Sequence, residues 1–153
     1  MAKIQSALKF NQGFMTGELC AASILDMKWH ELSLEQLGQF TDAQSIRDFE
    51  TKVCADMGLV NEIIPRYRTT YFNHIFNSGY SAGYYSYLWS EVLAVDAWAK
   101  FKEDGIFNPA VARSFRETFL EKGGSEEPMI LYETFRGSRP ASEALLKARG
   151  LKD

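Results

Sequence analysis

The residues best suited to chemistry lie in one stretch, His74 to Glu91, which reads HIFNSGYSAGYYSYLWSE. Tyr80, Tyr84 and Tyr87 fall at i, i+4 and i+7, so a helix beginning near Tyr80 would present three phenols along one side. A phenol with an ordinary pKa of about 10 keeps its proton at neutral pH and can donate to a developing oxyanion. One such donor is worth roughly 3 kcal/mol of transition-state stabilisation. His74, on the far side of the polar loop Asn77, Ser78 and Gly79, can donate in the same way or hold a substrate carbonyl. These groups assist a reaction but do not start one, because no nucleophile, metal or strong base accompanies them. The same spacing also describes an aromatic-rich core helix, with Tyr85, Leu88, Trp89 and Val92 on its buried side. Composition alone favours that second reading.

Other chemistries find less support. A zinc-protease helix needs two histidines four apart with a glutamate between them. Trp29-His30-Glu31-Leu32 begins that way, but the position of the second histidine is Leu34. His30 therefore reads as a helix-end or interface histidine. Cys20 and Cys54 lack a metal-binding spacing and read as reduced, buried thiols. There is no P-loop and no glycine-rich dinucleotide fingerprint, and Gly123-Gly124 reads as a helix stop. The acidic residues look scattered over solvent faces, with no carboxylate pair forming an acid–base couple.

The surrounding elements must position the tyrosine stretch. The chain has 153 residues, 46% of them hydrophobic and 14% aromatic, enough for a packed core. The formal net charge of −3 gives no electrostatic case for nucleic acid or an anionic membrane. No apolar run approaches the roughly 20 residues of a membrane span, and no signal core marks the N-terminus, so a cytoplasmic setting is expected. The chain begins in mid-pattern, without a helix start signal, so polypeptide upstream is expected. A densely apolar helix is predicted over 14–32. Thr41 and Gln44 resemble a capping box for a second helix over 42–57, stopped by Gly58. Pro65 forbids a helix through the connector that carries Arg66 and Arg68. The tyrosine helix is predicted to run from Tyr80 to about Lys102 and to end at Asp104-Gly105. Asn108 and Pro109 read as an N-cap and first helical position. Further helices are expected after Pro128, closed by Gly137, and after Pro140. No segment alternates as a half-buried strand does. The fold class is therefore all-α, in one compact piece without a visible linker.

These residues also carry a resemblance. The segments FNQGFMTGELCAASILDMKWHEL, IPRYRTTYFNHIF, GYSAGYYSYLWSEVLAVDAW and GGSEEPMILYETFRGSRPASEALLKARGL resemble the C-terminal end of the thimet oligopeptidase family of zinc metallopeptidases. The resemblance covers essentially the whole chain, and the GYxAGYYxYLWSE block is its most specific part. The spacing from His74 to Tyr80 is similar to that of the bacterial dipeptidyl carboxypeptidase (peptidyl-dipeptidase) branch. The resemblance implies an α-helical catalytic domain with a deep channel. The family's two-histidine zinc motif and its third, carboxylate ligand lie before the matching region. Residues 1–153 would then be the C-terminal helical part of that domain, with zinc bound by the full-length enzyme and none by this chain.

By resemblance, His74, Tyr80 and Tyr87 are catalytic, with Tyr87 or Tyr80 donating to the oxyanion. Tyr84 would bind substrate, and Gly79 and Gly83 would let the loop and helix start approach the substrate backbone. Arg66 and Arg68 would meet a substrate carboxylate. The implied partners are a peptide substrate and the N-terminal part of the same enzyme. The isolated chain is expected to be inactive and to self-associate through exposed channel wall. The alternative is a free-standing helical module that uses the same aromatic wall to hold a peptide or partner protein.

Overall fold

The computed structural model describes residues 2–152, and every regular element among them is helical. The all-α expectation holds. Packing divides the chain into two units, Phe10–Leu88 and Met1–Lys9 with Trp89–Asp153. One boundary, between Leu88 and Trp89, falls inside a helix, and the other, between Lys9 and Phe10, falls just after a short one.

Within Phe10–Leu88 the organising element is α2, Gln12–His30. Its buried face carries Ala22, Leu25, Asp26 and Trp29, the i, i+3, i+4, i+7 spacing of one helical stripe. Ile24 and Met27 point away from that stripe and are exposed, so the helix buries one face rather than being mostly buried. Two clusters form on the stripe. Ala22 meets Phe72, Ile75 and Tyr84, while Leu25 and Trp29 meet Val53 of α4, Ala43–Asp56. Trp29 is flanked by Phe40 and Phe49 at ring-centroid distances of 4.9 and 4.4 Å.

A short helix α3, Leu34–Leu37, is capped by Ser33. The cap of α4 differs from expectation: Asp42, not Thr41, accepts the Ser45 N–H, and the Ser45 hydroxyl answers the Asp42 N–H. Asp42 sits next to the helix in extended backbone, where its short carboxylate reaches the third amide. Gly58, at φ +70°, closes α4 as expected.

The connector after Pro65 folds into a 3-10 turn, Thr69–Tyr71, and then α5, Asn73–Asn77. Glu50 of α4 holds this connector. It is 3% exposed, and its Oε2 accepts the Thr69 N–H at 2.7 Å and the Thr69 hydroxyl at 3.0 Å. Its Oε1 pairs with Arg68 Nε at 2.8 Å. The Trp29 indole donates to the same threonine oxygen at 2.9 Å, which ties α2 into the network.

The tyrosine segment departs from the predicted helix. Residues 81–85 form turns, and α6 runs from Ser86 to Asp104. Ala82 stands at φ +53°, which a helix cannot accommodate. The predicted buried side of this helix is also revised. Val92 is buried, but Trp89 is exposed, and so is Tyr85, which lies in the turn before α6.

The second unit centres on an aromatic cluster. Phe101 of α6, Phe115 of α7 (Pro109–Phe115) and Phe135 of α8 (Pro128–Arg136) pack with centroids 5.3 to 5.9 Å apart. Asn108 caps α7 through the Ala110 N–H, and Pro109 takes the first helical position, as its missing amide hydrogen permits. α7 runs on into a widened π-type turn, Arg116–Leu120. Gly105, at φ +105°, and Gly137, at φ +84°, end α6 and α8. Beneath α8, buried Asp96 accepts the Tyr132 hydroxyl and pairs with Arg136, which also grips Glu103. Burial, then the bond to Asp96, pushes the Tyr132 phenol well above its ordinary pKa. α1, Ala2–Lys9, packs with α9, Glu143–Arg149.

Asp26, Glu50 and Asp96 are all buried, so the expectation of acidic residues confined to solvent faces is corrected. Each carboxylate is accompanied by several donors, which makes its burial affordable. No helix among the described residues is long and apolar enough to cross a membrane.

Candidate functional site

Three of the expected site residues, His74, Tyr80 and Tyr87, come together within the Phe10–Leu88 unit. His74, Tyr80 and Tyr87 line a shallow cavity of about 340 Å³ with Tyr67, Tyr71, Asn73 and Ser78. The connector and α5 supply one wall, and the turn after Gly79 with the first turn of α6 supplies the other. Tyr80 and Tyr87 stack with ring centroids 5.4 Å apart and planes 11° from parallel. His74 lies 4.6 Å from the Tyr80 ring, and its Nε2 is 2.8 Å from the Tyr87 hydroxyl oxygen. Tyr80 is 37% exposed and Tyr87 41%, so both phenols are open to a ligand.

Hydrogen bonding to the neighbouring Tyr80 phenol, then partial loss of solvent, pushes the Tyr87 pKa up to about 12. Tyr87 is therefore a neutral phenol across the physiological range. One proton lies between Nε2 and the phenol oxygen in either His74 tautomer. With that proton on Nε2, the phenol's own hydrogen can turn to Tyr80 or to a ligand.

Tyr84 occupies a different place from the one the spacing predicts. It is 4% exposed and packs edge-on against Phe72 at 5.0 Å. Burial raises its phenol pKa, with Arg66 acting in the opposite sense. The expected row of three exposed phenols is thus a pair above a buried ring. The reason is the irregular turn at 81–85: without a helix there, i and i+4 do not share a face. Tyr84 packs beneath these rings without lining the cavity, its centroid 5.1 Å from that of Tyr87 and 5.6 Å from that of His74.

Gly79, at φ +79°, adopts a conformation that suits glycine, and a Cβ there would meet open space. Gly83 serves the turn itself. Its N–H donates to the Tyr80 carbonyl at 2.8 Å, and a Cβ would stand 3.3 Å from that oxygen. The close approach predicted for Gly83 is thus to the turn's own backbone. Arg68 pairs with Glu50 through Nε at 2.8 Å. Arg66 is exposed, with its guanidinium carbon 5.8 Å from the centre of the Tyr67 ring. Neither arginine lines the cavity.

The sequence reading passed over Tyr67, Tyr71 and Asn73 as wall residues, and over Asp26 altogether. Asp26 was signalled by its register, as a charged residue on the same helical stripe as Ala22, Leu25 and Trp29. Its Oδ1 accepts the Ala82 N–H at 2.9 Å and its Oδ2 accepts the Tyr84 N–H at 2.8 Å. His30 is a partner of this carboxylate, with Nδ1 2.8 Å from Oδ1 and 2.9 Å from the Asp26 carbonyl oxygen. Both neighbours accept, so Nδ1 carries a hydrogen.

Among the described residues no group of three or more His, Cys, Asp or Glu side chains is placed to hold a metal ion. Cys20 and Cys54 are free and half-buried, and burial raises the Cys54 pKa, which keeps that thiol protonated. A larger groove of about 740 Å³ in the second unit has its arginines already paired, Arg136 with Glu103 and Arg139 with Glu133. The small phenol–imidazole cavity is the better candidate.

The chain belongs to peptidase family M3, whose sequence profile matches residues 1–151. It is 42% identical over 151 residues to a dipeptidyl carboxypeptidase of Escherichia coli, covering 97% of this chain and 21% of that protein. A dipeptidyl carboxypeptidase of Salmonella typhimurium is 39% identical over 150 residues, again 97% of this chain and 21% of its own length. Oligopeptidase A of Haemophilus influenzae is 56% identical over 80 residues, 52% of this chain and 12% of that protein. The chain thus spans about a fifth of the length of the dipeptidyl carboxypeptidases it matches.

Proposed function

We propose that this chain is the C-terminal, substrate-facing part of a zinc metallopeptidase that removes C-terminal dipeptides from oligopeptides. Membership of peptidase family M3 and the similarity to two dipeptidyl carboxypeptidases support the reaction class. The single observation that carries the role of this segment is the His74–Tyr87 pair, 2.8 Å apart at the edge of an open cavity, with the phenol held protonated. A neutral donor is what a peptide carbonyl needs as it gains negative charge, because it offers its hydrogen without first losing a proton.

In this reading Tyr87 donates to the reacting carbonyl oxygen, and His74 fixes the phenol's orientation. Tyr80, stacked on Tyr87, contributes a second phenol and limits the rotation of the first. Tyr84 supports both from below. Arg66, exposed beside Tyr67, is assigned to a substrate C-terminal carboxylate. The zinc of the whole enzyme is assigned to polypeptide outside these residues. The isolated chain then binds peptide weakly and does not hydrolyse it. Phe107 and Leu34, at 96% and 87% exposed, are apolar surface that the rest of an enzyme or a second copy would cover.

The test is Tyr87→Phe in the full-length enzyme. Loss of one oxyanion donor should lower kcat roughly 10²- to 10³-fold while the melting temperature barely changes. Unchanged turnover would return Tyr87 to aromatic packing and defeat the proposal.

A further inference from the structure

We propose that Asp26 is a positioning residue: its buried carboxylate anchors the turn at 82–84 and so sets the geometry of Tyr80, His74 and Tyr87. The proposal rests on reading that array as the substrate-facing wall. Asp26 is fully buried on the same helical stripe as Ala22, Leu25 and Trp29. A carboxylate in such surroundings costs several kcal/mol unless donors compensate it. Here three converge: the Ala82 and Tyr84 N–H groups and His30 Nδ1. Two of the three belong to the tyrosine segment, more than fifty residues along the chain.

The segment needs such an anchor. Ala82 stands at φ +53°, a conformation that costs an L-residue about 1–2 kcal/mol. Between Tyr80 and the start of α6 at Ser86, local order comes from turn bonds such as Gly83 N–H to the Tyr80 carbonyl. The two amides that Asp26 holds lie midway between the stacked rings of Tyr80 and Tyr87 in sequence. Fixing that midpoint fixes where both rings leave the backbone, and His74 then meets Tyr87. Asparagine has nearly the shape of aspartate, but one end of it is a donor. It would therefore oppose at least one of the three incoming hydrogens.

The experiment is NMR on the 153-residue chain and its Asp26→Asn variant. In the unaltered protein the Ala82 and Tyr84 amides, though outside any helix, should exchange roughly 10- to 100-fold slower than free amides. In the variant both should lose that protection, and the His74 Nε2 resonance should move to the position of an unpaired imidazole. The Trp29 indole N–H, bonded to Thr69, should keep its shift. Unprotected amides in the unaltered protein would overturn the proposal, and that measurement needs no folded variant. An unmoved His74 resonance would overturn it as well. So would simultaneous loss of the Trp29 signal, which would make Asp26 a residue of the whole fold. In the full-length enzyme, Asp26→Asn combined with Tyr87→Phe should lose less turnover than the product of the two single losses, and fully additive losses would count against positioning. If Tyr87→Phe has no effect, the functional reading fails while the NMR result still decides the anchor.

Discussion

Glu50→Ala should loosen the connector that forms one wall of the cavity, and its cost can be worked from the contacts. The Glu50 carboxylate accepts from Thr69 twice, at 2.7 and 3.0 Å, and from Arg68 at 2.8 Å. Thr69 is buried, so its N–H has no water to turn to when the acceptor is removed. A stranded donor of that kind costs about 1–3 kcal/mol. The Arg68 side chain is 38% exposed, so its pairing with Glu50 is screened and adds at most about 1 kcal/mol. The Thr69 hydroxyl also loses its acceptor while still receiving the Trp29 indole hydrogen, which weakens the link to α2. Together these put the loss at about 1–4 kcal/mol, most of it from the stranded Thr69 donor. Glu50→Gln retains an acceptor oxygen and should lose roughly half as much. Urea titration followed at the Trp29 indole resonance reports on this unit without mixing in the other. A Glu50→Ala loss below about 1 kcal/mol, with the Trp29 signal unmoved, would show that the connector is held by something other than this network.

Two further outcomes follow from the same geometry. Tyr84→Ala should destabilise the unit by about 3–5 kcal/mol, as removal of a buried aromatic does, whereas Tyr84→Phe should cost little; denaturant midpoints at constant m would separate the two, and a small Tyr84→Ala effect would argue against its place in the core. Alkaline titration followed by tyrosinate absorbance should resolve a late class among the seven tyrosines, because Tyr84, Tyr87 and Tyr132 are all raised. For Tyr87 the folded pKa, about 12, lies above the ordinary 10.0, so the stability it contributes is complete below pH 10 and is lost as pH rises toward 12. A single ionisation step near pH 10 for all seven would contradict the pairing of Tyr87.

Much of this protein was readable from local pattern. Helix periods, Gly58, Gly105 and Gly137 as stops, and Asn108-Pro109 as a start are all set within a few residues, so neighbouring side chains in the sequence are enough to specify them. The chemical character of His74, Tyr80 and Tyr87, and the family that their motif marks, were legible for the same reason. What only the tertiary structure decided is where those side chains point. The turn at 81–85 exists because Asp26, distant in sequence, captures its amides, and that contact converts a predicted row of three phenols into an exposed pair over a buried Tyr84. Likewise nothing near Arg68 in the sequence names its partner, and folding brings Glu50 to it. A carboxylate in a sequence shows its charge but not its partners, and the burial that selects those partners arises only when separate helices pack.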